Sequence, residues 1–277
     1  MSALPNMRVG DVEVQGLSDG ILKTSLDLVL GMDRAQAESL VGGTQNGSLY
    51  IPVNNFLIRR GSKVILIDAG AGNTMQPTLG KLPDNLRAAG VAPSAVTHIV
   101  MTHLHPDHAN GLVDDAGAQA GTNAEIVIHE TEAEFWMRPD VANDEDRVKK
   151  NRARTAINLK PYLDHIRRVR DGEDFSGFTP MVTPGHTPGH TCWLLTANNG
   201  GGFMAFGDVV HLSAIQISHP DAALTYDLDK DLAVKSRKRI LDMAASERLA
   251  IAGAHVNAPG FGYVVRKGGS FAFEPAG

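Results

Sequence analysis

Cysteine is almost absent: the chain of 277 residues has one, Cys192. No intrachain disulfide can form, which fits a reducing compartment. A run of about 18 apolar residues is also missing, so no membrane span is expected. The opening MSALPNMRVGDVEV has no basic segment followed by an apolar one, so no signal peptide is expected and the cytoplasm is the expected location. Basic excess is lacking too. There are 26 Lys and Arg against 31 Asp and Glu, a formal charge of -5, and no Lys/Arg run long enough to track a phosphate backbone. Nucleic acid is therefore not an expected partner. The densest basic group, Lys149, Lys150, Arg152 and Arg154, lies in a helical pattern beside acids and reads as a solvated helix face.

What is present is a globular composition, 43% hydrophobic and 21% charged, without repeats or low-complexity linkers. It fits one domain over residues 1–277. Short β-branched runs read as strands at 12–17, 48–60, 63–70, 96–102, 124–130, 178–184, 191–197, 202–208, 249–255 and 262–267. A short final strand follows the last of these. Helical patterns lie at 33–41, with Asp33 as cap, and at 83–90, which opens on proline and closes on glycine. Others lie at 130–137, from about 143 to 163, and at 229–247, where Leu232, Ala233, Ser236, Ile240, Leu241 and Met243 have amphipathic spacing. Several strands end in a polar residue followed by a turn: Asp68, His103, His186, Asp208 and His255. Strand ends hold side chains on a rigid scaffold while the backbone turns away, so these five could converge on one edge of a pair of sheets.

The chain has eleven histidines; three fall within THLHPDHANG, with an aspartate among them. His103 and His105 are two apart, so on extended backbone they point to one side and could bind one ion together. Pro106 turns the chain, and Asp107 and His108 can face away to serve a second. Two ions need more ligands than these four. TPGHTPGHTCW offers His186 and His190, of which only one is required. AFGDVVH offers Asp208, whose carboxylate could bridge two ions, and AGAHV offers His255.

The order His-x-His-x-Asp-His, TPGHTPGH, GD and a late His after an apolar strand resembles the metallo-β-lactamase superfamily from about Leu49 to Val265. The resemblance implies a four-layer αββα sandwich, α/β in class, with two divalent metals at one edge. These are zinc first, with manganese, iron or cobalt also accepted by such ligands. It assigns His103, His105 and His186 to one metal and Asp107, His108 and His255 to the other, with Asp208 bridging. It makes His190 structural and gives Asp68 an orienting role behind the ligands. A homodimer is a further family expectation.

The one cysteine is not at the metal-binding position of the β-lactamases that use a thiolate. No extra nuclease domain or basic exosite is evident. Only 22 residues follow His255, too few for the helical domain of hydroxyacylglutathione hydrolases. The stretch from Gly207 to Asp229 and the strands after it look like the methyl parathion hydrolase-like group. Acyl-homoserine lactonases carry a tyrosine shortly after the bridging aspartate; here Val209, Val210 and His211 follow, and Tyr226 is far along. The expected activity is hydrolysis of small, largely uncharged esters by a hydroxide held between two ions about 3.5–4 Å apart. Phosphotriesters and lactones or carboxylic esters are both open as substrates. Asp107 would orient the nucleophile and take its proton, with Asp208 also in the catalytic set. Phe135, Trp136, His211 and Ile215 are the expected pocket walls, with Leu49, Tyr50, Met137 and His219 nearby. The rival readings are a mononuclear iron oxygenase of sulfur compounds and a metal-binding module without catalysis. Cys192 sits in an apolar strand pattern and reads as inert.

Overall fold

The computed structural model describes residues 6–120, 124–197, 201–258 and 260–276; residues 1–5, part of the N-terminal stretch read above, lie outside these. The N-terminal half lays down strands β1 (Asn6–Val9), β2 (Val12–Thr24), β3 (Val29–Leu30), β4 (Leu49–Arg60), β5 (Lys63–Ile67), β6 (His98–Val100), β7 (Glu125–His129) and β8 (Ile166–Val169). All but β3 form one sheet in the order β1-β2-β4-β5-β6-β7-β8, antiparallel up to β5 and parallel from β5 to β8. The C-terminal half supplies β9 (Phe178–Val182), β10 (Thr191–Thr196), β11 (Gly202–Ala205), β12 (Ala223–Leu224), β13 (Ala250–Ala252), β14 (Phe261–Lys267) and β15 (Ser270–Pro275). The second sheet has the order β15-β14-β13-β11-β10-β9, and the short β12 pairs with β3.

Strand alternation builds the layers. On β5, Ile65 and Ile67 face the second sheet while Leu66 faces outward; on β7, Val127 faces in while Ile126 and Ile128 face out. On the other sheet Trp193, Leu195, Phe203 and Ala205 face in while Cys192 and Met204 face out. The inward residues form the core between the sheets. Helix α1 (Arg34–Leu40) follows β3, capped by Asp33. The outward set of the first sheet packs on the helices α2 (Leu82–Ala88), α4 (Glu130–Met137) and α5 (Asp146–Leu159), through Leu86, Trp136, Val148 and Leu159. That of the second sheet packs on α7 (Lys230–Glu247) through Ile240, Leu241 and Ala244. This is the four-layer αββα sandwich that the sequence implied.

At one edge the two sheets are stitched together. Trp193 Nε1 donates to Met101 O at 2.9 Å, and Thr191 N to Thr102 O at 2.9 Å. Asn54 on β4 donates from its backbone to Ala254 O at 2.8 Å and from its side chain to Gly253 O and Val256 O. These bonds fix the backbone just before His103 and on both sides of His255.

Some elements differ from the sequence reading. The strand expected over 96–102 is laddered only at His98–Val100, because residues 101–105 leave the sheet to build the site. β2 continues to Thr24 through a register shift between Ser18 and Gly20. Gly20 is at φ +129°, and a Cβ there would lie 2.0 Å from Thr78 O. β8 was not expected: its Arg167 and Arg168 hide the alternation of a sheet-edge strand. On α5 the basic group is not a uniformly solvated face. Arg152 is buried and pairs with Asp140 and Asp144, its guanidinium 5.4 Å from the Phe135 ring. On α7, Leu232 is exposed and Arg237 is buried.

Candidate metal centre

The turns after five strands meet where the sheets are stitched. Asp68 follows β5; His103 and His105 follow β6, and Asp107 and His108 lie in the short α3 (Pro106–Ala109). His186 and His190 sit between β9 and β10, Asp208 follows β11, and His255 follows β13. One ligand atom from each of His103, His105 and His186 lies within 4.8 Å of the others, and likewise for Asp107, His108, Asp208 and His255. His190 is in neither group. Its Nδ1 meets Thr183 Oγ1 at 2.7 Å and its Nε2 accepts the Asp208 N–H at 2.9 Å, so both nitrogens are engaged in tying the turns together. Burial pushes its pKa down to about 3, so the ring is neutral.

The hydrogen bonds behind the cluster set the tautomers, which are inferred from the available acceptors. The Thr102 hydroxyl donates to Asp68, so it accepts from His103 Nδ1 at 3.1 Å. His108 Nδ1 donates to Asp68 Oδ2 at 2.8 Å, His186 Nδ1 to Asp227 Oδ1 at 3.1 Å, and His255 Nδ1 to Pro52 O at 2.8 Å. In each ring the Nε2 lone pair is then left facing inward. All four approach the Asp208 carboxylate: His103 at 3.6 Å, His108 at 3.2 Å, His186 at 3.4 Å and His255 at 3.4 Å. Lone pairs face carboxylate lone pairs in a deeply buried site. Among the described residues, the Nε2 atoms of His103, His108 and His255, and Asp208 Oδ1, have no hydrogen-bond partner. Such buried groups are costly unless something positive lies between them. A cation resolves all of them at once, and neutral imidazole with carboxylate is the donor set that zinc-like ions take.

The charge balance says the same. Burial would lower the pKa of His108, yet Asp208, Asp107 and Asp68 raise it well above the usual imidazole value. Burial opposes charge on His255 as well, but Asp208 and Asp107 push it up to about 10. Protons are recruited where divalent ions fit. Conversely, burial and the neighbouring imidazoles hold His103 and His105 well below the usual range, the neutral state a ligand needs. Burial works against ionisation of Asp208, but His108, His211 and His255 outweigh it and hold the carboxyl well below its usual range.

Asp68 adopts φ +58°, a conformation uncommon for a residue with a Cβ. In it the carboxylate accepts from Thr102 N at 2.7 Å and Thr102 Oγ1 at 2.8 Å while holding His108. Asp227 was not anticipated. It is buried, accepts Leu224 N at 3.0 Å and lies 3.8 Å from the buried Arg237 guanidinium. Only the rule that a ligating imidazole needs an acceptor behind it could have pointed to it, since nothing in its spacing does.

The expected pocket residues are spread. His211 is closer than a wall: its Nε2 is 2.9 Å from Asp208 Oδ2, and it forms a third ligand-distance group with His186 and Asp208. Tyr226, distant in sequence, returns beside β12, its ring 6.2 Å from that of His211. Tyr226 thus stands next to His211 although it is eighteen residues beyond Asp208 in sequence. Trp136 is buried, its ring 5.6 Å from His105 and edge-on to it. Phe135 is half-buried under Arg138 and Arg152. Ile215 is buried among Leu212, Leu224 and Ile51. His219 faces a surface groove with Lys238 and Phe271. Tyr50 and Met137 are exposed and Leu49 half-buried.

A family model described as the metallo-beta-lactamase superfamily matches residues 50–255. An N-acyl homoserine lactonase of Bacillus thuringiensis is 26% identical over 170 residues, 61% of this chain and 60% of the lactonase. The chain thus aligns with about three fifths of that relative. The solved structure of AbOPH, a hydrolase in the beta lactamase superfamily, covers 100% of this chain and 98% of its own, with TM-score 0.94 and 29% identity. That of AidC, a dizinc quorum-quenching lactonase with bound product N-hexanoyl-L-homoserine, covers 100% and 99%, with TM-score 0.90 and 26% identity.

Proposed function

The chain belongs to the metallo-β-lactamase superfamily, and we propose that it is a binuclear metal-dependent hydrolase of small ester-type substrates, lactones foremost. The observation that carries this is the set of four inward imidazole lone pairs around the Asp208 carboxylate, with the Asp107 carboxylate beside them. His103, His105 and His186 would hold one divalent ion and Asp107, His108 and His255 the other, with Asp208 shared. Zinc is the first choice, by likeness to dizinc AidC. Ions bound there would supply Lewis acidity toward an ester oxygen and an activated water at neutral pH.

The residues of the chain do the rest. Asp107 is the most exposed carboxylate of the cluster, its side chain 12% accessible against 2% for Asp208. It would orient an entering water and receive its proton. Asp208 is buried, so its role is to hold charge and geometry. His211, in contact with Asp208 and next to Tyr226, joins the cluster to a polar wall. The likeness to the Bacillus lactonase and to AidC is what favours lactones over phosphotriesters. No serine or cysteine nucleophile is needed; Cys192 is fully buried and faces away between the second sheet and α7.

Proton release, followed with a pH indicator on lactones, aryl esters, phosphotriesters and β-lactams with and without chelator, tests the reading. Chelator-sensitive turnover, best on lactones, is expected. Best turnover on phosphotriesters would replace lactones as the substrate class. No turnover on any class by metal-loaded protein would overturn the hydrolase assignment.

A further inference from the structure

Glu132 belongs to none of the ligand motifs, yet it is wholly buried beside the centre. It occupies the first turn of α4, and its carboxylate has four partners. Oε1 accepts Leu104 N at 2.9 Å and Trp136 Nε1 at 2.7 Å; Oε2 accepts Thr187 Oγ1 at 2.6 Å and Gly189 N at 3.1 Å. Three of these four are N–H groups that can only donate, so an acceptor is required at this spot.

The identity of the partners matters more than their number. Leu104 lies between His103 and His105. Thr187 follows His186. Trp136 packs edge-on against the His105 ring at 5.6 Å. The backbone of the 183–190 turn is pressed onto Glu132 itself: a Cβ on Gly189 would come 2.1 Å from Glu132 N. One carboxylate therefore joins the two turns that carry His103, His105 and His186. It makes no contact with the supports of the other group, where His108 leans on Asp68 and His255 on Pro52 O.

Building on the two-ion reading above, we infer that Glu132 is a positioning residue for one metal position only, setting the affinity of the His103, His105 and His186 position while leaving the Asp107, His108 and His255 position nearly unchanged. An imidazole whose backbone is held in place binds without first losing conformational freedom, and partners behind ligands commonly change metal affinity about 10–100-fold. Asp68 serves both groups, through Thr102 to His103 and directly to His108, whereas Glu132 serves the turns of one group alone, so that position can be weakened through Glu132 without the other.

The test strips the purified full chain of metal and titrates zinc back against a chromophoric chelator, which reads two dissociation constants in the wild type. Glu132→Gln keeps the shape but turns an amide N–H₂ toward donors at one of its two arms. It is expected to weaken one constant about 10–100-fold and to move the other by no more than about 3-fold. Thr187→Val cuts a single arm and should weaken the same constant by less. Circular dichroism on zinc-saturated variants reports folding. Unchanged constants in a folded Glu132→Gln protein overturn the inference. So does an equal fall of both constants in both variants, which marks a general structural role. A wild type that fails to bind two zinc ions overturns the two-ion reading instead.

Discussion

His186 and His190 are four residues apart in TPGHTPGH, both buried, and their truncation should have opposite consequences. His190→Ala removes the acceptor of the Asp208 N–H and the partner of Thr183 Oγ1. An unsatisfied buried N–H costs about 1–3 kcal/mol, and the space vacated by an imidazole adds about 2 kcal/mol or more. A loss of about 3–5 kcal/mol corresponds to a fall in Tm of roughly 10 °C for a chain of this size. Metal content should stay near that of the wild type, because neither nitrogen of His190 is free to bind an ion. His186→Ala removes a lone pair aimed at the cluster, and its loss leaves Asp227 with the Leu224 N–H still bonded. The metal-free protein should lose less stability, while one ion per chain is lost on dialysis and hydrolysis disappears. Elemental analysis and thermal unfolding of both variants, with and without chelator, read the two effects. Full metal content in His186→Ala, or metal loss with unchanged Tm in His190→Ala, would refute the assignment of roles.

Three other outcomes follow from the same geometry. In the metal-free protein Asp208 and Asp107 raise His255 to about 10 and His108 well above its usual value, so protons compete with metal for these two Nε2 lone pairs. Binding should therefore release about two protons and tighten as pH rises, seen by calorimetry in buffers of different ionisation enthalpy; no proton release would contradict this. Burial raises Cys192 to about 12, so the folded protein should not react with iodoacetamide at pH 8, and rapid native labelling would contradict its placement. Gly189→Ala should lower Tm or soluble yield severely, since its Cβ would meet the backbone of Glu132; wild-type stability would mean the turn does not lie against α4.

Much of the site was legible because its chemistry is local. His103, His105, Asp107 and His108 fall within six residues, and strand-end residues stand out where apolar alternation stops. Asp208 and His255 were readable through their order along the chain. The layers were legible because alternation on β5, β7, β10 and β11 has one physical cause, an apolar face on each side of each sheet. What escaped depends on the return of distant chain. Asp227 and Tyr226 reach the centre only after α6 (Ser213–Gln216) and the β3–β12 ribbon fold the segment back. Glu132 looks like one of several acids in HETEAEFWM, and only its burial against two turns sets it apart. Arg152 likewise reads as surface until Asp140 and Asp144 close over it. Charged residues on helices carry no periodic mark of being buried, because pairing rather than hydrophobicity puts them there.

The most direct test of the central claim is to add zinc stepwise to the metal-free protein while following chelator-sensitive lactone hydrolysis. The account predicts activity that rises until two ions per chain are bound and then levels off. Full activity in the metal-free protein, or a plateau at one ion, would contradict a centre in which Asp208 serves two.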